Sequence, residues 1–347
     1  MKLKHTTILE KYGIGNAVEY RIPSITVTSK KTVIVAYESR KETGNDWAEV
    51  HITIRRSTDL GKTFGDPYCP HQQLISAGDS LKETFSNPVL ITDHERIHLI
   101  FHQNYEQAWY CFSDNDGISF STPSEITGVF RKFDFSWNVC ASGPGHGITA
   151  SNGRLIVPVW LANGRIRFDR ESSGRIKNHF PSAAGCIYSD DRGKTWIPGF
   201  LTQGIENANE TSAAELRNGK ILFNFRNERF EKCRVLGIAP VSLDRLETVW
   251  TENQLPDPTC FGSMVSKDGM LYFVNCANND PCRLYSARIH LTVSCSLDEA
   301  RTWSPILLVD DTGGYADLAV SDNLMFVFYE RGEEKVDLLQ LKVYERY

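Results

Sequence analysis

The chain has 347 residues, 41% of them hydrophobic and 23% charged, with a formal net charge of −5. That balance fits a globular fold and carries no cationic excess, so neither a nucleic-acid partner nor attraction to an anionic membrane is expected. The longest apolar stretches, such as Leu155–Ala162 and Leu324–Tyr329, fall far short of the roughly 20 residues a membrane span needs. The start, MKLKHTTILEKYG, has two early lysines but no apolar core of the kind a secretory signal carries. Nine cysteines, an odd number, are scattered at 69, 111, 140, 186, 233, 260, 276, 282 and 295. No C-x-x-C pair occurs and the histidines lack ligand spacing, so free thiols in a reducing, cytoplasmic setting are expected, with no metal site.

Short apolar runs bounded by turn residues follow one another along the chain: KTVIVAYES, AEVHITIRRS, RIHLIFHQ, GRLIVPVWL, GKILFNFRN, GMLYFVNC, NLMFVFYER and, at the end, LLQLKVYERY. Each reads as a β-strand. No long segment of helical period competes with them. Between them a repeat recurs. Ser57–Phe64 reads STDLGKTF and Ser189–Trp196 reads SDDRGKTW, both SxDxGxT closed by an aromatic residue. Chance alone predicts roughly one such match per million positions. Weaker copies are SDNDGISF at Ser113–Phe120, SLDEARTW at Ser296–Trp303 and SLDRLETVW at Ser242–Trp250.

The repeat has the chemistry of a tight turn. The Asp carboxylate accepts backbone N–H groups, Gly permits positive φ, and the aromatic ring packs beneath. Copies starting at 57, 113, 189, 242 and 296 are spaced 56, 76, 53 and 54 residues apart, the length of one four-stranded propeller blade. An all-β, six-bladed propeller of four-stranded antiparallel blades is predicted, as a single domain over residues 1–347. Its first and last strands should pair to seal the ring. The turns belong to folding and should lie away from any reacting centre.

With these repeats the chain resembles the sialidase (neuraminidase) superfamily of glycoside hydrolases, from YRIP at Tyr20–Pro23 to YERG at Tyr329–Gly332. The resemblance implies an exo-α-sialidase on the same six-bladed fold, acting on sialylated oligosaccharides, glycoproteins or glycolipids. YRIP implies Arg21 as first of three arginines that grip the substrate carboxylate. The stretch from VAYESR to RRSTDLGKTF implies Asp46 as a loop-borne acid/base and Arg40 as an accessory arginine. NETSAAELRNGKILFNFRN implies Glu210 as the group polarising the nucleophile and Arg226 as second triad member, with Glu215 as the rival carboxylate. ARIHLTVSCSLD implies Arg288 as the third, with Arg283 as its neighbouring alternative. GGYADLAV implies Tyr315 as the nucleophile, and FVFYERG implies Glu330 as the carboxylate orienting Arg21. NPVL at Asn87–Leu90 and GPGHGI at Gly143–Ile148 also recur in the family, and Tyr105, Trp137 and Trp160 lie where relatives place pocket aromatics.

These residue types suit the chemistry. Sialic acid bears a carboxylate on its anomeric carbon, and arginine offers that anion a permanent charge in a planar fork. Three neighbouring arginines repel, which makes Glu210 and Glu330 sensible neighbours. A carboxylate nucleophile would meet the substrate's own anion, whereas a neutral phenol avoids that repulsion, and tyrosine is a known exception among glycosidases. Free tyrosine ionises near pH 10, so Tyr315 needs a base. Asp46 would protonate the leaving oxygen and then activate water, giving net retention without any cofactor; Glu42 and Glu49 are the alternative loop acids. The arginines read only a carboxylate, so Kdn or Kdo glycosides are rival substrates. A carbohydrate-binding propeller without catalysis would be expected to lack Asp46, Glu210 or Tyr315.

Overall fold

All eight apolar runs become strands, and the strands in turn make six sheets set in a ring. The computed structural model describes residues 1–75, 83–166, 176–229, 231–280, 288–332 and 335–346. Each blade starts with a strand beside the axis. These inner strands are Glu19–Val27, Phe85–Asp93, an interrupted one at Val139–Ser142 and Ile148–Thr149, then Thr211–Glu215, Ser263–Lys267 and Ala316–Ser321. Second strands such as Leu155–Ala162 are buried throughout, because a blade packs on both faces. Third strands such as Val50–Ser57 alternate buried and half-exposed residues, as expected nearer the rim.

Blade 6 joins the two ends of the chain: Lys2–Lys11 pairs antiparallel with Leu338–Glu345, with Thr7 opposite Leu341. The predicted seal therefore forms. The blades are not uniformly four-stranded. Blade 1 has three strands, and its fourth is reduced to a bridge between Ile54 and Tyr68. Blade 2 gains a parallel strand, Gly145–His146, because the loop that interrupts blade 3 reaches back to Val89 and Leu90.

The repeats form the predicted turns. In the first, Asp59 Oδ1 accepts the Thr63 N–H at 3.0 Å, Ser57 Oγ accepts the Gly61 N–H at 2.8 Å, and Gly61 has φ +84°. The residue before the Gly position then reaches the preceding blade. Asp116 bonds Arg56 and Thr28, Arg192 bonds Asp93, and Glu299 accepts the Arg217 N–H. The turn thus staples neighbours as well as reversing the chain.

Apolar side chains fill the wedges between blades. The seam of blades 6 and 1 holds Leu9, Tyr37, Phe326, Phe328 and Leu341. Each such side chain, fully buried, contributes roughly 1.5–3 kcal/mol, so ring closure is driven by burial as much as by strand pairing. Repeats join third to fourth strands, whereas inner strands start, and second strands end, at the opposite face. The cavity that holds the nominated side chains lies at that face. Among the described residues no helix is long and apolar enough to cross a membrane.

Candidate active site

Arg21 sits where the first inner strand breaks register: Ile22 adopts φ 60°, and pairing is interrupted between Arg21 and Ser24. The Ile22 N–H that the bulge frees donates to Glu330 Oε1 at 2.9 Å. The same carboxylate takes Arg21 in a fork, Nε to Oε1 and Nη2 to Oε2, both at 3.1 Å. The Tyr315 N–H also donates to Glu330 Oε2 at 3.1 Å. Burial would raise the Glu330 carboxyl, but Arg21 holds it below its ordinary value. Blade 2 repeats the device. Asn87 has φ 53°, and its N–H donates to Glu38 Oε1 at 2.8 Å.

Tyr315 immediately precedes the sixth inner strand and is 5% exposed. Its hydroxyl donates to Glu210 Oε1 at 2.5 Å and lies 2.6 Å from Arg226 Nη1, which also binds Glu210 Oε2. The guanidinium carbons of Arg21, Arg288 and Arg226 stand 5.3, 5.2 and 6.0 Å from the Tyr315 ring centre. Four chain-distant segments therefore meet around one phenol. Burial lifts that phenol well above its usual range, Arg226 pulls it down and Glu210 pushes it up. It is neutral at rest, and the adjacent carboxylate is placed to take its proton.

Asp46 lies on the loop after Val33–Arg40, and its Oδ1 accepts Arg40 Nη1 at 2.7 Å. Arg40 is fully buried and also binds Glu38 Oε2 through Nη2 at 2.6 Å and Nε at 2.8 Å. Burial works to raise the Asp46 carboxyl, but Arg40, with help from His179 and Arg21, holds it at about 2. In the sequence Glu38 is legible only as an acid two residues before Arg40 on the same strand face. Burial raises this carboxyl despite Arg40.

All eight nominated side chains, Arg21, Arg40, Asp46, Glu210, Arg226, Arg288, Tyr315 and Glu330, line one cavity of about 900 Å³. Tyr105 and Trp160 line it too, joined by Trp47 and His179, whose ring lies 5.2 Å from Trp160 and 5.3 Å from Tyr105. Trp137 does not; its Nε1–H donates to the Phe130 carbonyl at 3.1 Å within the blade packing. The rival acids also fall elsewhere. Glu215 ends its inner strand at the far face and accepts Ser151, Glu49 contacts His51, and Glu42 contacts Asn45. Arg283 and Cys282 lie outside the described residues. Among the described residues no cluster of His, Cys, Asp and Glu is arranged to hold a metal ion.

Residues 69–327 match the family model of the BNR repeat-like domain. A sialidase of Bacteroides fragilis is 28% identical over 347 aligned positions, covering 89% of this chain and 59% of that protein. A sialidase of Micromonospora viridifaciens is 27% identical, covering 90% and 50%. The chain thus spans a half to three-fifths of the length of these relatives. Among solved structures, the Hadza microbial sialidase Hz136 superposes with a TM-score of 0.77 at 22% identity, over 95% of this chain and 66% of that one. With the repeat family matched over three-quarters of its length and the ring of six blades in place, the chain belongs to the BNR repeat-like family and, through it, to the sialidase superfamily of β-propellers.

Proposed function

We propose that the chain is an exo-α-sialidase that hydrolyses terminal α-linked sialic acid from oligosaccharides, glycoproteins or glycolipids, with retention and without a cofactor. The observation that carries this reading is the Tyr315 hydroxyl, 2.5 Å from Glu210 and ringed by Arg21, Arg226 and Arg288. Three guanidinium groups in one cleft suit an anion attached to the reacting carbon. Buried Arg226 Nε and Trp160 Nε1 lack acceptors among the described residues, which favours a ligand rich in oxygen acceptors.

The substrate carboxylate binds the arginines. Tyr315 Oη attacks the anomeric carbon as its proton passes to Glu210, and Asp46 protonates the departing glycosidic oxygen. Asp46 then takes a proton from water, the resulting hydroxide attacks the glycosyl-tyrosine, and Tyr315 leaves and regains its proton from Glu210. Two inversions give net retention. In the free chain Asp46 is a carboxylate, held near 2 by Arg40, His179 and Arg21. An arriving substrate anion offsets part of that positive field, so the carboxyl gains proton affinity when the leaving oxygen is in place.

Free thiols at the described cysteines support a cytoplasmic location, and pairing of the chain's two ends supports reading residues 1–347 as one catalytic unit. The deciding experiment uses a fluorinated sialosyl fluoride, whose fluorine slows breakdown of the covalent intermediate. Mass spectrometry should place the sugar on the peptide GGYADLAV, and NMR should show the α-anomer as first product. A label on Glu210 or Asp46, or β-product first, overturns the assignment of Tyr315.

A further inference from the structure

The GPGHGI segment contributes no side chain to the cleft, yet it packs against Phe261 and Asp317, neighbours of Tyr315. Gly145 has φ +86°, and a Cβ there would stand 2.8 Å from Phe261 Cζ and 3.0 Å from Asp317 Oδ1. Only glycine permits that approach. It brings His146 Nδ1 to 2.7 Å from Asp317 Oδ1. Asp317 stands two residues after Tyr315 and so faces the same side of the chain. Its carboxylate gathers four segments: it accepts Ser263 Oγ at 2.5 Å, the Leu318 N–H at 3.0 Å and the Ile25 N–H at 2.8 Å, besides His146. The Phe261 ring packs 5.7 Å from that of Tyr315.

His146 Nδ1 meets the Asp317 carboxylate at 2.7 Å and lies 3.5 Å from Ser263 Oγ on the fifth inner strand. Against a buried carboxylate the imidazolium makes a charge-assisted bond that a neutral imidazole cannot. We propose that His146 is a positioning residue for Tyr315, acting as an imidazolium that ties Asp317 of the nucleophile's strand to the inner strand of blade 5. The inference rests on Tyr315 being the nucleophile.

Protons reach His146 from the face away from the substrate, because it also lines a cavity of about 510 Å³ there. Charged groups on that cavity are Glu215, bonded to Ser151, and Arg217, bonded to the Gly269 carbonyl. The neighbouring inner strands present Ser24, Thr26 and Ser263, all uncharged. Burial lowers the affinity of His146 for its proton, but Asp317 outweighs this and raises it above the ordinary histidine value. The clamp is therefore complete below about pH 6.5 and loosens as pH rises through the raised value. Displacing a reacting atom by an ångström costs on the order of a hundredfold in rate, so a small rise of the Tyr315 strand suffices.

The test compares wild type with His146→Gln and Asp317→Asn on an aryl sialoside from pH 5 to 9. Both variants should lose kcat roughly ten- to a hundredfold with KM little changed, since the arginines are untouched. In His146→Gln the basic limb of kcat should also flatten. Unchanged kcat, an unchanged basic limb, or parallel losses in kcat and KM would overturn the inference. Should His146→Gln fail to fold, NMR of wild type decides. By linkage the His146 titration midpoint must rise once Tyr315 is trapped by the fluorosugar, and an unmoved midpoint overturns the clamp. A wild type that cleaves no sialoside refutes the proposed function instead.

Discussion

The Tyr315 hydroxyl donates to Glu210 Oε1 at 2.5 Å although the two residues are 105 positions apart in the chain. Glu210 immediately precedes the fourth inner strand and Tyr315 the sixth, so the contact exists only when these blades are brought together at the axis. Under the proposed mechanism Glu210 is the base for a phenol that burial keeps protonated.

Replacing that base should test the pairing. Glu210→Gln keeps the shape and a hydrogen bond but cannot accept the phenolic proton. It should lower kcat by roughly 10²–10⁴-fold with KM little changed. Steady-state kinetics on an aryl sialoside provide the check, and a loss under threefold would mean that Tyr315 is activated by some other group.

Arg226 touches Glu210 and Tyr315 through the single nitrogen Nη1, which leaves the rest of its fork to a ligand. Arg226→Lys leaves one point charge in place of that fork and should weaken an unsaturated sialic acid analogue by about 1.5–3 kcal/mol. Calorimetric titration measures this directly. Unaltered affinity would remove Arg226 from carboxylate binding.

Asp46 gives a prediction with a definite sign. Its carboxyl is held at about 2, below the ordinary aspartate value, so the tie to Arg40 is complete above about pH 4 and is lost as pH falls through that depressed value. Natural glycosides, which need the proton, should gain proportionally more rate on mild acidification than activated aryl sialosides do. Arg40→Met should move that acid limb to higher pH. Asp46→Ala should damage natural glycosides far more than aryl ones. Equal losses would assign the acid to another group.

The turn repeats are predicted to matter for stability alone. A Cβ at Gly61 would lie 2.4 Å from Leu341 Cδ2 across the closing seam, at φ +84°. Gly61→Ala should cost about 1–3 kcal/mol in urea unfolding while kcat and KM on folded protein stay unchanged. A normal unfolding midpoint would show that the seam yields without cost.

Much of this molecule is readable before any coordinates. The SxDxGxT pattern follows from turn chemistry that is local to eight residues, so Ser57–Phe64 and Ser189–Trp196 are legible at once, and with the weaker copies at 113, 242 and 296 they announce blade length. Second strands such as NLMFVFYER are legible for the same reason, since burial on both faces leaves a continuous apolar run. The short motifs YRIP, NETSAAEL and GGYADLAV likewise nominate Arg21, Glu210 and Tyr315 one at a time. Other features depend on partners far away in the chain. Glu38 looks like any strand acid until Arg40 folds back on it and the Asn87 N–H arrives from the next blade. Trp137 and Trp160 are equivalent as sequence, yet one is spent inside blade packing and the other faces the cleft. Asp317 and His146, 171 positions apart, acquire a relationship only because inner strands of different blades share one axis. Sequence determines what each strand and turn is, because those forces act between near neighbours. Which side chains meet at the axis is decided by closure of the ring, because only burial of the last seam fixes the blades relative to one another.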